Sequence, residues 1–380
     1  MYGRIRSPAL APLALACALI AISCAPALGQ AATREPLWLA RAALRDPAAA
    51  MDAVARPSAK ALAAAERGAA NDLPEAGGEA QISSTYYGPE ELASIAATLR
   101  QLDHGPELSQ LSVYVATPAE IAEICGATVV ACYLPEEMKM VVSGVDHPVA
   151  GVPRAFTIAH EYGHHIANSQ PGDQLAAIDV GTIRWATYER VCQFTRSGKL
   201  YPGNQGAHYW EDPEEAFAES YAHLSDPVSR VSWQYTPLLA PSTAALAKIR
   251  ADVAHPWSGP VTSSLSATLA PPSPAHRVAA APGAGLDSAA IAGTPPWVAM
   301  RRIPTPLDGT VSIAVQAPAG ADLAVALRDS EAPGRVLARA ISGEGGEAEV
   351  SFSNCGRQSL ELEVRSLHGS GSFQATVVKP

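Results

Sequence analysis

Thr157-Ile158-Ala159-His160-Glu161-Tyr162-Gly163-His164-His165 is the stretch from which the rest of the chain can be read. It contains His-Glu-x-x-His, with His160 and His164 four residues apart and Glu161 directly after the first. On a helix, positions i and i+4 lie one above the other on the same face. Two imidazoles so placed can reach one metal ion, and neutral imidazole suits Zn2+. Glu161 falls at the flank of that face, where a carboxylate could take a proton from a water activated by the metal. Phe156, Ile158, Ala159, Tyr162 and Ile166 give the segment the texture of a buried helix. Pro153 suits its start, and Asn168-Ser169-Gln170-Pro171-Gly172 its stop.

Two histidines need a third ligand. The metzincin extension would put Gly at 167 and His at 170, where the chain has Ala167 and Gln170. The aspzincin GTxxD pattern fails because Gly181-Thr182-Ile183-Arg184 is followed by Trp185. That leaves a glutamate on a second helix, and Tyr209-Trp210-Glu211-Asp212-Pro213-Glu214-Glu215-Ala216-Phe217-Ala218-Glu219-Ser220-Tyr221 offers one. Asp212 is a good N-cap, Pro213 sits at the first helical position, and Asp212 with Glu215 has capping-box spacing. Glu215 and Glu219 then share a face.

HExxH followed by a helix reading Glu-Ala-Phe-Ala-Glu resembles the gluzincin zinc metallopeptidases, particularly the group similar to the anthrax lethal-factor protease domain. The resemblance covers roughly residues 86–255. It implies that Glu215 is the third zinc ligand beside His160 and His164, and that Glu219 is a carboxylate behind them that orients a ligand histidine. It also implies a tyrosine about two turns before the ligand glutamate to steady the oxyanion. That offset falls on His208, with Tyr209 one residue later; Tyr209 is favoured, and His208 stays open.

The chain opens as an export signal would. Arg4 and Arg6 precede an apolar run from Pro8 to Ser23, and Ala27-Leu28-Gly29 reads as a small-x-small cleavage site. The competing reading, Ala21-Ile22-Ser23-Cys24 as a lipoprotein signal, would lipidate Cys24 and is the one route to a membrane. Cleavage after residue 29 removes two basic residues and no acid, so the net charge moves from −10 to −12. A secreted or periplasmic product so acidic argues against nucleic acid as a partner. Hydrophobic residues at 48% and charged residues at 17% describe a globular rather than a disordered chain.

Residues 30–85 are an Ala-rich prefix, propeptide or tether. From Tyr86 the pattern is helix (from Gly88-Pro89), strand (Leu111–Val115, alternating), short helix (Pro118–Ile124), then strands at 129–134 and 138–142. Such a lobe, ahead of the HExxH helix, would set an edge strand along the cleft to pair with an extended substrate. After the expected signal, four cysteines remain: Cys125, Cys132, Cys192 and Cys355. A disulfide between Cys125 and Cys132 closes the shortest loop; Cys192 and Cys355 are then either a second bridge or two buried thiols.

Residues 256–296 are dense in Pro, Ala, Gly and Ser and read as a spacer with room for one or two edge strands. Beyond Trp297 six short strands with Gly- or Pro-containing turns imply a β-sandwich at 297–380. It resembles the small sandwiches appended to secreted bacterial peptidases and carries no catalytic constellation. The expected fold class is therefore α+β, a zincin-like metallopeptidase domain followed by an all-β sandwich. The expected function is peptide or protein hydrolysis with one Zn2+ on His160, His164 and Glu215, Glu161 as general base and Tyr209 at the oxyanion. Two alternatives use the same residues: a zinc hydrolase of a non-peptide amide or ester, and a binding module that holds zinc without turnover.

Overall fold

The computed structural model describes residues 71–72, 80–127, 129–146, 152–173, 175–226, 235–272, 295–332 and 334–380. The expected signal peptide, Cys24 and most of the Ala-rich prefix lie outside the described residues, as does most of the expected spacer.

The first half is built on a mixed five-stranded sheet. Strand β1 (Asn71–Asp72) pairs antiparallel with β2 (Gln81–Ser84), and β2 runs parallel to β3 (Ser112–Ala116). Between them helix α1 (Pro89–Gln101) starts on Pro89 with Glu90 and Glu91 in its first turn and buries Leu92, Ile95, Ala96 and Leu99. After β3 comes α2 (Pro118–Ile124), opened by a capping box in which Thr117 and Glu120 satisfy each other's backbone N–H groups. Strand β4 (Cys132–Leu134) then turns into β5 (Lys139–Ser143), and the sheet order is β1-β2-β3-β5-β4. Strand β5 is parallel to β3, and β4 forms the antiparallel edge.

Three expectations change here. Residues 81–84, read as the end of the prefix, are a strand of the sheet. The strand expected at 129–134 is cut to its last three residues, because the Cys125–Cys132 disulfide holds the preceding chain as a loop. The alternating strand does not have a wet face. Val113 and Val115 enter the main core, while Tyr114 and Ala116 pack on the opposite face with Ile121, Ile124 and Val141. Both faces are covered, as parallel strands require.

Against this sheet packs α3 (Arg154–Asn168), in contact with β5 and β4. Three short helices follow: α4 (Ala177–Val180), α5 (Ile183–Tyr188) and α6 (Val191–Arg196). Helix α7 (Pro213–Ser225) lies along α3, and α8 (Thr243–Ala254) packs on α5 and α7. Asp252 on α8 ties this layer together, accepting from Thr182 Oγ1 at 2.6 Å and Arg184 Nη1 at 2.6 Å.

The second half is two four-stranded antiparallel sheets around one apolar core, which fits a β-sandwich. Strands β6 (Val261–Leu269), β7 (Val298–Pro304), β8 (Gly309–Gln316), β9 (Asp322–Asp329), β10 (Val336–Ile341), β11 (Glu347–Asn354), β12 (Ser359–His368) and β13 (Gly371–Lys379) form the orders β10-β9-β12-β7 and β11-β8-β13-β6. Val311, Ile313 and Val315 of β8 alternate inward beside Phe373, Ala375 and Val377 of its neighbour β13. Strand β6 is one of the edge strands for which the expected spacer had room: it pairs with β13 along its whole length from within residues 256–296. Cys192 on α6 is bridged to Cys355, and beside it Arg196 Nη2 donates to Ser353 O at 3.0 Å. The chain as a whole is α+β.

Candidate metal centre

Helix α3 is buried along nearly its whole length, from Phe156 to Ala167. An all-buried helix can carry polar residues only where each has a partner. His165 shows how: its Nδ1 lies 3.0 Å from Tyr133 Oη and its Nε2 2.9 Å from Glu107 O. Tyr162 Oη donates to Glu107 Oε1 at 2.8 Å. These contacts pin the helix to the sheet edge and the preceding loop, and they take His165 out of the metal question. Gly163 sets the other side. A Cβ there would stand 2.9 Å from Ala218 Cα and 3.1 Å from Tyr221 Cβ, so the absent side chain lets α7 approach α3.

That close approach brings Glu215 to the two histidines. Its Oε2 is 3.3 Å from His160 Nε2 and 3.7 Å from His164 Nε2. One ligand atom from each of the three residues lies within 4.8 Å of the others, and all three residues are buried. Donors so spaced suit one shared ion at roughly 2.0–2.2 Å from each, and two imidazoles with a carboxylate are a zinc donor set. The charges point the same way. Three carboxyl groups, Glu161, Glu214 and Glu215, are packed against two imidazoles. Burial opposes the charge on Glu215, but His164 and His160 outweigh it and hold the pKa at about 2. Burial also works against a charged His164, yet Glu215, Glu214 and Glu161 raise it to about 10. The cluster thus gathers carboxylate charge around two imidazoles, the charge balance that a bound cation would neutralise. The other group of three candidate ligands among the described residues, Cys192, Asp308 and Cys355, is taken up by the disulfide.

Glu161 is buried on α3 beside these groups. Desolvation raises its pKa to about 8, with His164 pulling down and Glu215 and Glu214 pushing up. A carboxyl tuned toward neutrality is what a general base needs, and a nearby dication would draw it lower.

Asp212 and Glu215 have capping-box spacing, but the box is not closed. Asp212 Oδ1 accepts from Glu214 N at 3.0 Å and Gly203 N at 3.3 Å, while the Glu215 carboxylate faces the histidines. Glu219, one turn on, is buried, lies 3.7 Å from His223 Nε2 and acts through its charge on His160. Of the two oxyanion candidates, only one sits at the cluster. Tyr209 Oη lies 3.1 Å from Tyr235 Oη, and the Glu215 charge acts on it. Burial, then Glu215, raises its pKa well above the ordinary tyrosine range, so it stays a donor. His208 instead stacks on Tyr201 at 3.7 Å between ring centres, with its side chain 45% exposed.

Three residues at the cluster were not singled out from the sequence. Tyr235 hydrogen-bonds Glu215, and its ring is stacked 6.2 Å from that of His160. Tyr133, on the edge strand β4, stacks 6.5 Å from His164 and accepts from Asn168 Nδ2 at 2.9 Å. Glu214 Oε1 lies 3.3 Å from His164 Nδ1. A separate cavity of about 250 Å3, lined by Pro171, Leu175, Val180, Ile183, Val191 and Asp308 among others, includes none of these residues.

No helix among the described residues is long and apolar enough to cross a membrane, and the two disulfides, Cys125–Cys132 and Cys192–Cys355, fit an oxidising compartment. No protein-family model matches the chain. No curated protein matches it. Among solved structures, it is similar to the pre-peptidase C-terminal domain of a collagenase from Bacillus anthracis, at 14% identity and a TM-score of 0.20, over 31% of this chain and 89% of that one. It is also similar to the SPBc2 prophage-derived protein YomS, at 11% identity and a TM-score of 0.20, over 32% of this chain and 97% of that one. Likeness at that level carries no argument about function.

Proposed function

We propose that this chain is an exported zinc metallopeptidase of gluzincin type, with a zincin-like catalytic region followed by an accessory β-sandwich. The observation that carries the reading is the convergence of His160, His164 and Glu215 from two helices, with Glu161 beside them. His160, His164 and Glu215 would hold the ion. Zinc bound there would polarise a scissile carbonyl and acidify a water. Glu161 accepts the proton of the attacking water and passes it to the leaving amine. Tyr209, kept protonated by burial and by Glu215, donates to the developing oxyanion. Strand β4 has one edge unpaired within the sheet and carries Tyr133 next to His164, which supports an extended peptide lying along it. Export rests on the basic-then-apolar N-terminus and is supported by both disulfides.

The test is metal content of the purified chain together with cleavage of casein, with and without chelator, beside a panel of ester substrates. Stoichiometric zinc with chelator-sensitive proteolysis is the expected result. Zinc with ester but no peptide turnover would move the substrate class, and zinc without any turnover would leave a binding module.

A further inference from the structure

Helix α7 brings one more carboxylate to the cluster than a three-ligand site uses. Glu214 directly precedes Glu215, its side chain is only 15% exposed, and its Oε1 lies 3.3 Å from His164 Nδ1. It is the one carboxylate within ion-pair distance of that nitrogen among the described residues, and the contact is closer to a charge pair than to an aligned hydrogen bond. The opposite nitrogen of the same ring faces Glu215. His164 is therefore bracketed by two consecutive residues of one helix.

A bland role for Glu214 would be an acid near a helix N-terminus, favoured by the backbone dipole. That role needs neither burial nor a histidine. It is also already served by Asp212, whose carboxylate caps the helix. Burying a carboxylate is costly unless it is partnered, and the ion pair Glu214 makes is with His164. We infer that Glu214 is a positioning residue: as the acceptor facing Nδ1–H it fixes the His164 ring and keeps the proton on Nδ1, so that Nε2 presents its lone pair toward Glu215 and the ion. With Glu219 acting on His160, one helix then supplies a metal ligand and a carboxylate behind each histidine. The inference rests on the metal reading above.

The experiment compares the full chain with Glu214→Ala, Glu214→Gln and Glu211→Ala. Zinc affinity is measured by competition with a chromophoric chelator, and ligand geometry by the visible spectrum of the cobalt-loaded protein. Glu214→Ala should bind zinc roughly 10–100-fold more weakly and shift the cobalt bands. Glu214→Gln keeps an oxygen that can accept from Nδ1 and should recover most of the affinity. It also keeps the side chain's shape, so the proposal stays testable if the alanine variant fails to fold. Glu211→Ala removes a half-exposed acid from the same stretch and should change nothing, which separates positioning from bulk charge. Unchanged zinc affinity and cobalt spectrum in Glu214→Ala would overturn the inference and leave the metal reading standing. A Glu214→Gln variant as weak as the alanine variant would overturn the orienting role. A wild-type chain that binds no zinc would sink the metal reading itself, and this inference with it.

Discussion

The α3–α7 contact and the double-sheet half both bury charged side chains, and they dispose of them differently. In the sheets each buried charge meets an opposite one: Arg328 Nε lies 2.5 Å from Glu363 Oε2, Arg365 Nη2 2.8 Å from Glu363 Oε1, and Arg357 Nε 2.9 Å from Asp329 Oδ2. Such a set is neutralised in place and asks for nothing further. Between α3 and α7, Glu161, Glu214 and Glu215 meet only imidazoles, and hydroxyls of Tyr209 and Tyr235 supply the remaining contacts. Imidazole can give up its proton at moderate cost, whereas guanidinium cannot. The first arrangement makes a scaffold; the second is the one that the proposed reading assigns to a cation.

Breaking each arrangement should therefore read out on different instruments. Glu215→Ala removes a direct ligand and should abolish stoichiometric zinc together with activity, as metal analysis would show. Glu219→Ala should give a milder loss, roughly 10–100-fold in affinity or turnover. If Glu219→Ala loses the metal and Glu215→Ala keeps it, the ligand assignment is wrong by one helical turn. In the sheets, Glu363→Ala strands Arg328 and should cost about 3–5 kcal/mol in chemical denaturation while leaving zinc content unchanged. Zinc loss in that variant would mean that the two halves are not energetically separable. Glu161→Gln keeps shape and should keep zinc, yet lower turnover by at least ~100-fold, worth about 2.7 kcal/mol of barrier. Retained turnover in Glu161→Gln would remove the general base from the scheme.

How much of this could be read from residue order follows from where each residue gets its position. His160, Glu161 and His164 were legible because the helical period alone sets them on neighbouring faces. Glu215 was legible as a candidate by resemblance, but its capping-box spacing with Asp212 suggested a different partner. The Gly163 contact decided the matter, since it lets α7 approach until the carboxylate meets both rings. Tyr235 was not legible. It reaches the cluster through tertiary packing, with Thr236 N donating to Trp210 O at 2.8 Å, and no spacing rule marks it. Strand β6 was legible only as room for an edge strand, without its bounds: Val261-Thr262-Ser263-Ser264-Leu265-Ser266-Ala267-Thr268-Leu269 is mostly exposed at a sheet edge and has little need of apolar residues.

Glu120 offers the smallest effect and the sharpest control on the comparison, because it is a partly buried carboxylate with neither arginine nor histidine beside it. Its Oε1 accepts from Thr85 Oγ1 at 2.6 Å and Tyr114 Oη at 2.6 Å, and its Oε2 from Thr117 N at 2.7 Å and Thr117 Oγ1 at 2.8 Å. Desolvation would raise its pKa, but these four donors outweigh burial and hold it below 4.5. A carboxyl with a depressed folded-state pKa stabilises the fold above its unfolded pKa, and that contribution is lost as pH falls through the folded value. Glu120→Gln turns an amide N–H2 toward donors and should cost about 1–2 kcal/mol at neutral pH, discounted for its partial exposure. Urea denaturation of both proteins at neutral pH and again well below pH 4.5 checks this. The gap should close on acidification, since the wild-type carboxyl is then protonated too. A gap that stays constant with pH would assign the cost to lost packing in the α2 capping box rather than to the charge that these hydroxyl and backbone donors hold.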